Sequence, residues 1–194
     1  MTRGRALAFA ATAVTVIVLD QVTKALARSA LALNDAVPVV DGVFWLTRVH
    51  NTGAAFGILR GQQWLLVGVA TVVLAAITWV MFRVPLRSAL VRTGLALVAG
   101  GTVGNLIDRV ALGGVTDFFD LGWFPVFNVA DIALDVGVVL IVVWLLFDHE
   151  HRAVHAETPV PRDLEHVAVA EDALTSEPSA GAGAGSDGKE TSAP

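Results

Sequence analysis

The sequence predicts an all-α membrane protein: a four-span transmembrane helix bundle with a small extracytoplasmic β element and a disordered C-terminal tail. Three observations carry this reading. Hydrophobic residues make up 55% of the 194 and charged residues 16%, and the mean hydropathy is +0.67, more apolar and less charged than a soluble domain. Four stretches reach the roughly 20 mostly apolar residues that cross a hydrocarbon core. The charge is split as well. Residues 1–147 carry ten bases and eight acids, a net of +2, whereas residues 148–194 carry three bases and ten acids, a net of −7.

The spans fall at about 6–26, 64–82, 89–107 and 126–147. Only the second is free of charge; the first holds Asp20 and Lys24, the third Arg92, and the fourth Asp131 and Asp135. Arg3 and Arg5 precede the first span, and Arg83, Arg87 and Arg92 crowd the second connection with no acid among them. Such density in short connections puts both termini in the cytoplasm, although the outer loops also carry Arg28, Arg48, Arg60 and Arg109. The same first residues imitate a cleavable signal peptide, with Ala25-Leu26-Ala27 as the small-residue site, a rival for the first span.

Val37–Val40 and Val43–Val49 are β-branched and aromatic runs separated by Asp41-Gly42, a hairpin signal. The spans define a transmembrane unit over 1–150. Residues 151–194 are rich in Ala, Glu, Gly, Ser and Pro, which cannot bury enough apolar surface to offset chain entropy, so an acidic, disordered cytoplasmic tail is expected. A solvated tail also accounts for Asp148, His149, Glu150, His151 and His155 without a metal.

Several chemistries are excluded. No cysteine is present, which removes disulfides, thiolate metal sites and a cysteine nucleophile. No basic patch is large enough to track nucleic-acid phosphates. Before the tail the only serines are Ser29 and Ser88 and the only histidine is His50. A Ser-His pair would have to be Ser29 with His50, and neither stands beside an oxyanion-hole signature. A hydrolase built from this chain must use carboxylates.

Asn128, Asp131 and Asp135 recur at i, i+3 and i+7 and share a helix face, with Asp131 expected about 7.5 Å inside a span that begins at 126. Asp20 and Lys24 have the spacing and order of a favourable helix pair. Gly100 and Gly104 form a GxxxG spacing suited to close helix packing, followed by Asn105 and Arg109 at the outer end of the third span. An arginine there can snorkel, clamp a carboxylate or meet a lipid headgroup. Asp108, Asp117 and Asp120 all lie in the element returning to the fourth span, and spacing does not choose which of them meets Asp131. Two carboxylates sharing a proton would suit acid-base hydrolysis. A proton-coupled transporter would also place acids in spans, but through the full membrane thickness. A scaffold packed through its glycines would tolerate loss of the acids.

Together these stretches resemble the bacterial lipoprotein signal peptidases, or signal peptidase II. The resemblance runs from Asp20 to about Gly137 through Asp20-Gln21-x-x-Lys24, Asn51-Thr52-Gly53-Ala54-Ala55-Phe56-Gly57, Gly100-Gly101-x-x-Gly104-Asn105-Leu106-Ile107-Asp108-Arg109, Val115-x-Asp117-Phe118 and Phe127-Asn128-x-Ala130-Asp131. It implies an aspartyl endopeptidase that removes the signal peptide of a diacylglyceryl-modified prolipoprotein just before the modified cysteine. Asp117 and Asp131 match the catalytic pair. Asn105, Arg109 and Asn128 match positions near substrate and dyad, and Asp20, Lys24, Asn51 and Gly101 match positions that support the site. The resemblance implies a multi-pass protein of the bacterial cell membrane with its active site at the outer leaflet. Membrane lipid and substrate are its partners, with no nucleic acid, obligate protein partner, cofactor or metal. It also speaks against cleavage of the first span. Asp135 and the acidic tail lie outside the pattern, and Asp135 is expected to raise the apparent pKa values of the pair.

Overall fold

The computed structural model describes residues 2–54 and 58–154, and of 148–154 the backbone alone. Four helices are long and apolar enough to cross a membrane: α1 (Arg3–Ala30), α2 (Gln63–Arg83), α3 (Ala89–Leu112) and α4 (Val129–Val154). Each expected span is present, with α1 extended at both ends and α3 carried five residues further, so that Asp108 and Arg109 are helical. The expected tail lies outside the described residues except for the four that end α4.

The central helix is α3. Ser88 caps its start by accepting from the Val91 N–H at 3.4 Å, and Gly113, at φ 81°, ends it in the left-handed conformation that glycine adopts without strain. Small residues let its neighbours approach. A Cβ on Gly100 would lie 2.8 Å from Val16 Cβ in α1, and one on Gly94 would lie 2.8 Å from the Gly137 carbonyl in α4. The GxxxG spacing is therefore a packing surface for α1, with Gly104 against Asp20 one turn on. Elsewhere the helices expose Val, Leu and Ile side chains, the surface a helix presents to lipid.

Three strands form an antiparallel sheet in the order β1 (Ala36–Val40), β2 (Phe44–Asn51), β3 (Val115–Asp120). The first two are the hairpin expected from Asp41-Gly42, where Gly42 takes φ 73°. The third strand is a finding that the sequence reading lacked. It is reached from α3 through Gly113 and Gly114, and Gly114 lies so close to His50 that a Cβ there would be 2.8 Å from its Nε2. Arg48 in β2 donates to the carbonyls of Arg28 and Leu31 at 3.3 and 2.9 Å, satisfying the C-terminal end of α1 and fixing the sheet over that end of the bundle.

A candidate active site between strand β3 and helix α4

The start of α4 differs from expectation. Residues 126 to 128 are not helical: Phe127 bridges Phe119, its N–H donating to the Phe119 carbonyl at 3.0 Å and its carbonyl accepting from the Phe118 and Phe119 N–H groups at 3.0 and 2.8 Å. Helix begins only after this bridge, so Asp131 sits in the first turn rather than about 7.5 Å within a span that begins at 126. Asn128 Oδ1 accepts from the Asp131 N–H at 3.1 Å, and Asp131 Oδ2 accepts from the Asn128 N–H at 3.0 Å. The two residues form a reciprocal capping box. A carboxylate here meets the positive end of the helix.

Asp117 belongs to β3, where burial on both faces leaves it 2% exposed. Its partner in the ladder is Val49, so Asn51, paired with Val115, stands diagonally across on the same face. Asn51 Nδ2 donates to Asp117 Oδ2 at 3.0 Å and Asn128 Nδ2 donates to Asp117 Oδ1 at 2.6 Å. Asn128 thus caps the helix that carries Asp131 and holds Asp117 with the same side chain. Burial, and after it the negative charge of Asp131, pushes the Asp117 carboxyl up to about 7, against the lowering effect of the Asn51 and Asn128 hydrogen bonds and of Lys24.

Behind the two carboxylates lies a buried polar layer. Lys24 and Asp20 are fully buried, with Lys24 Nζ 2.9 Å from Asp20 Oδ2 and 3.7 Å from Asp108 Oδ2. Lys24 donates to Asn105 Oδ1 at 2.8 Å, and Asn105 Nδ2 donates to Asp131 Oδ1 at 2.8 Å. The amide orientations follow from this chemistry: an ammonium can only donate, so Asn105 turns its oxygen to Lys24 and its nitrogen to Asp131. Asn128 then gives a second bond from Nδ2 to Asn105 Oδ1 at 3.2 Å. Asp20 Oδ1 accepts from the Ala130 N–H at 3.1 Å, satisfying another free donor at the start of α4.

The remaining acids separate by their partners. Asp108 accepts from the Thr116 N–H at 2.9 Å and faces Lys24 and Arg28, while Asp120 accepts from Thr47 at 2.7 Å and from the Gly122 N–H at 2.8 Å. Of Asp108, Asp117 and Asp120, it is Asp117 that lines a cavity together with Asp131. That cavity, of about 400 Å³, is also lined by Asn51, Asn105, Arg109 and Asp135, with Leu121, Trp123, Phe124, Ile132 and Leu134 supplying apolar walls. A second cavity of about 580 Å³, lined by Asn34, His50, Thr52 and Arg60, meets the first at Asn51 and Asp117.

Arg109 does not clamp a carboxylate. It donates to the Gly53 carbonyl at 3.4 Å and to the Asn105 carbonyl at 3.5 Å, and its own carbonyl accepts from Gln63 at 2.6 Å. Gly101 contributes no polar atom: a Cβ there would lie 2.5 Å from the Ala130 carbonyl, so its bare backbone admits the first turn of α4. All nine expected site residues therefore lie in or directly behind one constellation. Sequence reasoning missed the Asn128–Asp131 capping box, although Asn-x-x-Asp before an apolar run is its signature. It also missed Gln21, which reaches Asp20, the Gly104 carbonyl and Asp108 at 3.1, 3.0 and 3.3 Å.

Chemically, the arrangement offers two carboxyl groups on different elements at the edge of a cavity, with a buried cation behind them, amides fixing their orientation and apolar walls around them. A family model described as signal peptidase (SPase) II matches residues 12–147. The lipoprotein signal peptidase of Symbiobacterium thermophilum is 46% identical over 138 residues, covering 69% of this chain and 91% of that relative. The one from Moorella thermoacetica is 45% identical over 130 residues, covering 66% of this chain and 86% of that relative. Among solved structures, a bacterial membrane enzyme determined by the in meso method at 2.3 Å resolution is similar with a TM-score of 0.72 and 32% sequence identity, over 79% of this chain and 94% of that one.

Proposed function

The chain belongs to the signal peptidase II family, aspartic-type membrane peptidases that remove signal peptides from prolipoproteins, and on that premise we propose that Asp117 and Asp131 are its catalytic pair. The observation that carries the proposal is their convergence from β3 and α4 on one cavity, joined through Asn128. Asp117, with its carboxyl raised to about 7, keeps a proton near neutral pH and donates it toward the scissile carbonyl. Asp131 takes a proton from the attacking water, whose oxygen bonds to the carbonyl carbon. Collapse of the tetrahedral intermediate returns the carbonyl proton to Asp117, and Asp131 delivers its proton to the departing amine. No covalent intermediate and no metal take part.

The substrate bond is the one just before a diacylglyceryl-modified cysteine. The acyl chains remain among the lipids, which fixes the depth of the bond, so the bilayer supplies part of the positioning. Asn105 and Asn128 orient the carboxyls, and the Arg109 guanidinium, on the cavity wall, meets peptide carbonyl or headgroup oxygens. Asp20, Lys24, Asn51 and Gly101 hold the pair in place.

The enzyme resides in the bacterial cytoplasmic membrane with both termini inside, as the arginines flanking α1 and between α2 and α3 favour. The site then lies at the outer leaflet. Residues 1–150 form the peptidase domain and 151–194 an acidic tail, and neither nucleic acid nor an obligate protein partner is required.

The test is cleavage of a diacylglyceryl-modified prolipoprotein in detergent, with chelator present, by wild type, Asp117→Asn and Asp131→Asn at matched protein levels. Cleavage by wild type and its loss in both variants is the expected result. Near-normal cleavage by either variant overturns the assignment of the pair.

A further inference from the structure

Asp135 is the one acid on the cavity wall that the proposed reaction leaves unused. It lies in α4, one turn beyond Asp131, is exposed, and lines the same cavity. The other acids near the site are all engaged: Asp20 and Asp108 face Lys24, Asp117 and Asp131 hold amides, and Asp120 holds Thr47. Among the described residues none gives Asp135 a hydrogen bond or an ion pair. An unpaired acid inside a span is costly, and it persists where a substrate or an ion completes it.

Its placement says which part of a substrate it would meet. Four residues of helix carry Asp135 about 6 Å inward from Asp131. An extended peptide covers about 3.3 Å per residue, so this depth corresponds to about two residues. The hydrophobic part of a signal peptide runs inward from the scissile bond, as α4 does from Asp131, and the residues passing Asp135 are therefore those before the cleaved bond. Ile132 and Leu134, also on the wall, offer no polar atom.

We propose that Asp135 is a positioning residue that selects signal peptides with a hydroxyl side chain, Ser or Thr, at the second residue before the scissile bond. The inference rests on the reading of Asp117 and Asp131 as the catalytic pair at the outer end of the spans. A carboxyl, ionised or protonated, offers an acceptor oxygen, and a hydroxyl offers one donor that lipid cannot satisfy. Each group supplies what the other lacks. A Val in the same place leaves the carboxyl without a partner, which is how a site built to hydrogen-bond discriminates against the apolar analogue.

The experiment uses the full chain in detergent micelles and two diacylglyceryl-modified prolipoproteins that differ only in Ser or Val at that second residue. Wild type is expected to favour the Ser substrate by about fivefold to tenfold in kcat/KM, the scale of one hydrogen bond in a shielded site. Asp135→Leu is expected to bring the ratio to one or below while cleaving the Val substrate at least as fast as wild type. Asp135→Asn, whose amide oxygen still accepts, retains most of the preference. The proposal is overturned by a wild type indifferent to the two substrates, by the same ratio in Asp135→Leu, or by an equal loss on both substrates, which would mark a purely structural role. Activity in Asp117→Asn or Asp131→Asn, run alongside, would instead overturn the catalytic reading beneath it.

Discussion

Lys24 and Asp131 are joined through a single amide: Asn105 accepts from the ammonium at 2.8 Å and donates to the carboxylate at 2.8 Å. The cation in α1 thus orients an acid in α4 without touching it. Asp20 and Asp108 face the same ammonium, and Lys24, Asp20 and Asp108 lie fully buried with no unsatisfied side-chain polar atom among the described residues.

Loss of Lys24 is therefore expected to damage stability before chemistry. Lys24→Met leaves Asp20 and Asp108 facing each other in the interior, a situation that costs about 3–5 kcal/mol. Unfolding in detergent should show a loss on that scale. A loss below about 1 kcal/mol would mean that water or Arg28 compensates.

Asn128 separates capping from chemistry. Asn128→Ser keeps a good N-cap for α4 but removes the amide that donates to Asp117 at 2.6 Å. Stability should fall by about 1–3 kcal/mol, the cost of taking a buried donor from Asp117, while kcat falls by about 100-fold or more, the scale of a misplaced catalytic group. Asn128→Ala should lose both. Equal activity in Asn128→Ser and wild type would show that Asp117 needs no such hold.

The pH profile follows from Asp117. Its carboxyl is raised to about 7 by burial and by Asp131, so peptidase activity should decline as pH rises through that value. Asn51 donates to the carboxylate and so favours the ionised form. Its removal in Asn51→Ala should move the alkaline limb to higher pH, and a move to lower pH would contradict the assigned hydrogen bond. Stability obeys the same sign: a raised acid binds its proton more tightly when folded, so its contribution is complete below the ordinary carboxyl value and is lost as pH rises to about 7. Asp117→Asn, which cannot ionise, should gain on wild type across that window in unfolding measurements.

Two glycines should tolerate no methyl group. A Cβ on Gly104 would sit 2.5 Å from Asp20 Oδ2, and one on Gly101 2.5 Å from the Ala130 carbonyl. Gly104→Ala should disturb the ion pair and lower the unfolding temperature. Gly101→Ala should push the first turn of α4 away and lower activity more than stability. Wild-type kcat in Gly101→Ala would show that α4 can shift without moving Asp131.

The spans and the β1–β2 hairpin are legible in the sequence because apolar runs and an Asp-Gly turn are local signals. Strand β3 is not. Its first four residues are buried on both faces and Phe118 and Phe119 stand side by side before Asp120, so it lacks the alternation of a half-buried strand. The start of α4 is hidden for a different reason: hydropathy counts apolar residues and is blind to a cap, and Val126 and Phe127 continue the apolar run although Phe127 pairs with β3. Spacing leaves Asp108, Asp117 and Asp120 equal as partners for Asp131. What separates them is the company each keeps, Lys24 and Arg28, Asn51 and Asn128, or Thr47, and those contacts exist only after α1, the sheet and α3 have met.

The Asp20–Lys24 pair lies in α1, where the two charges cancel. Asp108 follows some 80 residues later, and Ala130, whose N–H closes on Asp20, later still. The polar layer behind the candidate site thus requires α1 and α4 to meet around α3. A chain in which α1, α3 and α4 have not yet met has the acids but not their geometry.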